Sequence, residues 1–229
     1  MARMISVKLS TILILKLILR HIRMCLQLYG ENKYSTAIQS FYDVLKEKYD
    51  RYEELKMERL FAHDTIAMSE RKLKNMVRTV FNRCKEYERE NNDSFLLKSF
   101  FPNGRFGAVI KQDRTGIIRD VEQIILKFEN LGDKHPLFKL AAMLKAKINK
   151  LRKAIRDYNE ALRQENLSQA EVELAKEAAC KQYAKNHFDA KMEKGRSSAD
   201  DMFPDLNVKP KDEPIENGSE SETGGTEAA

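Results

Sequence analysis

Residues 31–101 form a run of 71 positions without a glycine or a proline, and a chain that turns in the ordinary way does not avoid both residues for so long. Helix satisfies such a run, because each backbone group finds its partner within the segment. With 9 glycines and 5 prolines in all 229 residues, a β-rich fold would lack its turns. The apolar residues agree. Ile38, Phe41, Leu45, Tyr52, Leu55, Ala62, Ile66, Leu73, Met76, Val80 and Tyr87 fall on one alternating three-and-four register, the signature of a helix with one buried stripe. The spacing predicts a long helix over 35–90, roughly 80 Å at ~1.5 Å per residue. Ser35 or Thr36 would cap it, and the polar run Asn91-Asn92-Asp93-Ser94 would stop it. A break near Asp64, capping a second helix of a hairpin, is the competing expectation.

Before this run, 8–29 reads as an amphipathic helix. Ile12, Leu15, Leu19, Ile22, Leu26 and Tyr29 mark its apolar face, and Lys16, Arg20, Arg23 and Gln27 mark another. Burial against the rest of the bundle is the expectation, although a basic amphipathic helix also suits a membrane surface. After it, 100–116 reads as the one irregular loop of the body, with Phe100, Phe101 and Phe106 plugging an end of the core. Ile117, Val121, Ile124 and Phe128 predict a helix over 116–131 that ends near Gly132. Leu137, Ala141, Leu144, Ile148, Leu151, Ile155, Tyr158 and Leu162 predict another over 136–165, in unbroken heptad register. Ser168-Gln169-Ala170-Glu171 has the form of a capping box, so a further helix is expected over 168–194. The fold class expected is therefore all-α, an elongated antiparallel helical bundle over 1–195 with coiled-coil-like packing. Over 196–229 the composition turns to serine, glycine, proline and acids, which predicts a disordered tail.

Charge is unevenly placed. The formal total is +6, but residues 199–229 hold nine acids and two lysines, a net of −7, which leaves +13 on residues 1–198. Residues 134–156 carry eight positive charges and no acid. Lys139, Lys145, Lys147, Lys150, Arg152 and Lys153 on that predicted helix are the candidate contacts for a polyanion, nucleic acid or anionic membrane, or for the acidic tail folded back on them. No aromatic residues interleave with this stripe, so stacking of single-stranded bases is disfavoured. Within the tail, Met202, Phe203 and Leu206 stand among acids, the composition of a short docking peptide.

Chemistry leaves little trace. Cys25, Cys84 and Cys180 are odd in number and far apart, which suits reduced thiols in a cytoplasmic protein better than a disulfide framework or a metal motif. The apolar stretch from Leu9 is interrupted by Lys16, Arg20 and Arg23, so neither secretion nor a membrane span is expected. His21, His63, His135 and His187 sit in separate segments without the glutamate spacing of a di-iron bundle. Phosphate loops, nucleophile elbows and calcium loops are missing too. No catalytic set, metal or cofactor is expected. The function expected is a non-enzymatic structural or protein–protein interaction role, through an unidentified protein partner or self-association. The alternative is a peripheral binding protein that uses its basic helical surface on nucleic acid or anionic membrane.

Overall fold

The computed structural model describes residues 5–91 and 96–203. Among them every regular element is helical, as expected of an all-α bundle: α1 (Thr11–Tyr29), α2 (Lys33–Asn91), α3 (Leu96–Phe100), α4 (Phe106–Ile110), α5 (Arg114–Glu129), α6 (Lys139–Lys194) and α7 (Arg196–Met202). They form two compact units. Unit 1 takes residues up to 45 and from 176, unit 2 takes 46–175, and α2 and α6 contribute to both.

In unit 1 the join between α1 and α2 is built by two residues. Gly30 stands at φ 66° and sends its N–H back to the Leu26 carbonyl, a positive-φ extended conformation that glycine alone adopts at little cost. Asn32, rather than Ser35 or Thr36, then caps α2: its Oδ1 accepts from the N–H groups of Tyr34 and Ser35 at 3.0 and 3.1 Å. The buried face of α1 also differs from the expected one. It runs through Thr11, Ile14, Ile18, His21, Ile22 and Cys25, while Ile12, Leu26 and Tyr29 are exposed. Choosing the face by apolar residues alone left out a histidine and a cysteine that pack inward.

The expected disordered tail is corrected at its start. Gly195, at φ 82°, ends α6, and α7 follows at once, with Ala199, Met202 and Phe203 buried in unit 1. Residues 204–229 of that expectation lie outside the described residues.

Unit 2 has the larger core, drawn from α2, α3, α4, α5 and α6 between Ile66 and Ala154. The expected loop over 100–116 is instead the end of α3, a turn at Pro102–Gly104 and α4. Phe100 lies 4.4 Å from Phe128, and Phe101 meets Phe81 edge-on at 5.2 Å. Helix α5 starts two residues earlier than expected because Asp113 caps it, accepting from the Gly116 N–H at 2.7 Å. A Cβ on Gly116 would meet that same carboxylate oxygen at 2.7 Å, so the cap and the glycine go together.

The two breaks considered from the sequence are not present. Asp64 is exposed within a continuous α2. The helices expected over 136–165 and 168–194 are one helix, α6, and Ser168 is buried in its middle. A capping box caps only where the preceding chain leaves helical geometry. Here the inward register Leu162, Glu165, Ser168, Val172 passes straight through it. In unit 2, α2 and α6 run antiparallel: Lys48 pairs with Glu171, Arg59 with Glu165, and the His63 ring lies 5.9 Å from Tyr158.

Ile148, 2 % exposed on α6, sits in the unit 2 core. Replacing it with aspartate removes a buried side chain and inserts an unpaired charge, and should cost about 4 kcal/mol or more. Thermal unfolding followed by circular dichroism checks this; a melt within a degree or two of the parent would show that this seam faces water.

The Arg59–Glu165 pair is largely buried, so its two halves should not behave independently. Glu165→Ala should destabilise the fold, because the guanidinium is left without its partner, whereas Arg59→Met with Glu165→Leu should stay closer to the parent. Urea titration of the three variants reads this difference, and additive losses would contradict it.

Candidate functional site

The basic helix is the first region to place. Lys139, Lys150 and Lys153 are exposed on α6, Lys147 is half-buried, and none of the four makes an ion pair among the described residues. Lys145 and Arg152 face α5 instead, where Lys145 pairs with Glu129 and Arg152 with Glu122. Both pairs line a groove of about 550 Å³ whose floor includes Ile125 and Ile148. Two of the six candidate cations are thus answered from within unit 2, by acids of α5.

The candidate docking peptide is partly accounted for inside the chain. Met202 and Phe203 are buried in unit 1, and Leu206 lies outside the described residues. Phe203 stacks on the His21 ring at 4.1 Å and meets Tyr183 and His187 edge-on at 5.0 and 4.9 Å. His21, fully buried, donates from Nδ1 to the Met202 carbonyl at 2.8 Å. That bond requires the Nδ1–H tautomer and fixes the end of α7 to α1. Burial lowers the His21 pKa from 6.5 to about 4; the Met202 carbonyl opposes this and His187 adds to it. Burial raises the neighbouring Cys25 thiol to about 11, Cys84 to about 12, and Cys180 in the same direction. All three are free, protonated and buried, which is the environment of inert rather than nucleophilic cysteine. No motif in the sequence announces this cluster. Its signal was there in two pairs, His21 with Cys25 and Tyr183 with His187, each four residues apart and so on one helix face.

The third region is the outward face of α2 in unit 2. Met57, Leu60, Phe61 and Met68 repeat at three, one and seven residues, one stripe of a helix, and they are 64, 42, 76 and 57 % exposed. Leu55, Ile66 and Leu73, half a turn away, are buried. The core begins only at Ile66. Between Lys46 and Thr65 the ion-pair and ring partners of α2 on other elements, among the described residues, all belong to α6. A pair of helices buries one stripe of each, so a second apolar stripe on α2 is left exposed among the described residues. Asp64 interrupts this face between Phe61 and Met68, but four large apolar side chains exposed on one helix face are uncommon on a surface that meets only solvent.

Comparison with protein-family models, with curated proteins and with solved structures returns no match to this chain. No described helix is long and apolar enough to cross a membrane.

Unit 1 should respond to acid through His21. The unfolded chain takes up that proton near 6.5 and the folded chain only near about 4, so between these values the unfolded state binds more protons and stability falls as pH falls. At ~1.4 kcal/mol per tenfold in proton activity, the window is worth up to about 3 kcal/mol. His187 and Asp200, 3.8 Å apart, and the neutral Cys25 and Tyr183 also face this cluster. Melting curves at pH 7, 5 and 4 should show the decline, and His21→Phe should flatten it. A parent protein with a flat profile would contradict the assignment.

Proposed function

We propose that the chain is a non-enzymatic interaction module of the cytoplasm, a helical bundle that presents the outward face of α2 to a protein partner. The observation that carries this is the exposed stripe of Met57, Leu60, Phe61 and Met68, opposite a seam that α2 already fills. Methionine and phenylalanine are common anchors at protein interfaces, where flexible or aromatic side chains contribute most of the contact energy. The charges around the stripe keep an open patch soluble until it is covered. Coiled-coil packing of helix on helix is the mode of contact this face fits. The buried, protonated thiols agree with a reducing compartment.

The basic surface supports the alternative reading less well. Lys145 and Arg152 are paired with acids of α5, and the remaining lysines are the ordinary cover of an exposed helix face.

A photo-crosslinking residue at position 61, in the full-length protein within its own cells, tests the proposal. Adducts of discrete mass should form there, should be lost with Met57→Lys on the same chain, and should be absent with the crosslinker at Lys150. Equal labelling at 61 and 150, or none at 61, would overturn the assignment of this face.

A further inference from the structure

We propose that the outward face of α2 receives the same face of a second copy of this chain, packed antiparallel, which rests on the reading of that face as an interaction surface. The stripe lies between charges of opposite sign. Glu53 and Glu54 precede Met57, and Arg71 and Lys72 follow Met68. From Glu53 to Arg71, and from Glu54 to Lys72, is 18 residues, about five full turns at ~3.6 residues per turn. Each acid therefore shares a flank of the stripe with one base. Glu53 and Arg71 lie on one side, Glu54 and Lys72 on the other.

A two-fold axis perpendicular to a pair of antiparallel helices brings residues of the same flank together. Setting Met57 against Met68 of the second copy places Glu53 beside its Arg71 and Glu54 beside its Lys72. Symmetry repeats each contact, so four unlike pairs border one apolar strip. Phe61 and Leu60 fall near the axis, where the two strips cross, and Asp64, which lies on the same face between Phe61 and Met68, falls there too as an acid this register leaves without a base. In a parallel arrangement the same residues would meet their own kind, acid on acid and base on base, which is unfavourable. Antiparallel pairing is the arrangement the charges select.

The acids are not held back by their present contacts. Glu54 reaches Arg51 at 3.0 Å in an exposed pair, and Glu53 reaches Lys56 at 3.2 Å in a half-buried one, with Tyr49 beside it; both pairs lie within one turn of the same helix, and such pairs are worth little. Arg71 and Lys72 are exposed and make no ion pair among the described residues. The stripe also faces away from the seam with α6, since Arg59 and Leu55 point to the opposite side. A second α2 can therefore approach without displacing α6.

Sedimentation of the full-length protein, in low salt and over a concentration series, reads the result. The parent should show a reversible dimer that weakens as salt rises. Phe61→Glu should raise the dissociation constant at least ~10-fold, and Glu53→Lys with Glu54→Lys should do the same. Adding Arg71→Glu and Lys72→Glu to that charge-reversed chain restores every unlike pair and should return the constant to within about 3-fold of the parent. All these positions are on the surface, and circular dichroism verifies that each variant keeps its helix content and melting temperature. A parent that is monomeric throughout, an acid-reversed variant that dimerises like the parent, or a fourfold variant that stays monomeric would overturn the proposal. A monomeric parent that still gives crosslinks from position 61 to a different protein overturns the second copy alone. A parent dimer indifferent to Phe61→Glu, with no crosslinks there, removes both readings.

Discussion

The antiparallel seam between α2 and α6 carries polar residues among its apolar ones, and much of the architecture depends on how they are met. In unit 2 the seam includes Glu165, which finds Arg59 on α2. In unit 1 it includes Asn186, which donates from Nδ2 to the Tyr34 carbonyl at 2.8 Å, while Glu193 accepts from the Tyr34 hydroxyl at 2.7 Å. An apolar seam alone would tolerate a slide by one turn, because leucine and isoleucine pack adequately in neighbouring positions. Polar partners do not. A slide that left Glu165 without Arg59 would strand a largely buried charge, at about 3–5 kcal/mol. These pairs are weak contributors to net stability and strong discriminators of register.

The same polar positions set the limit of what the sequence discloses. The long helix over 35–90 was legible because two independent signals coincide there, the absence of glycine and proline and a single apolar register. Helix α6 was legible only as far as that register stayed apolar. After Leu162 its inward positions are Glu165, Ser168, Val172, Lys176, Ala179, Tyr183 and Asn186. Read without their partners they resemble a surface, and Ser168 with Glu171 resembles a helix start. Helix α7 was lost for a related reason. Arg196 to Asp201 has the composition of a tail, and its order comes from Met202 and Phe203 finding a receptacle on α1 that no local rule describes. The basic stretch was legible as charge, but Glu122 and Glu129 could be assigned to it only once α5 lay beside α6.

Burial also explains the quiet chemistry of the titratable groups. A histidine enclosed by Phe203, Tyr183 and Met202 loses more in hydration as a cation than one backbone carbonyl returns, so it stays neutral and serves as a hydrogen-bond donor. The thiols of Cys25 and Cys84 are held protonated by the same effect. Perturbed titration at these positions is a consequence of tight packing, around the docked α7 for His21 and Cys25 and in the unit 2 core for Cys84.

Helix α2 obeys two registers, and among the described residues only one is buried. Leu55, Ile66 and Leu73 set the first, and α6 and the core fill it. Met57, Leu60, Phe61 and Met68 set the second, half a turn away. Nothing local opposes that second stripe, since leucine and methionine are good helix formers whether covered or not. Its cost is paid in hydration, at ~25 cal/mol for each Å² of apolar surface left in water. Helix α5, 16 residues long, meets α2 at Glu70 through Arg114, while the stripe lies mostly before that point. A helix pair has one seam, so among the described residues α6 covers one face of α2 and leaves the second exposed.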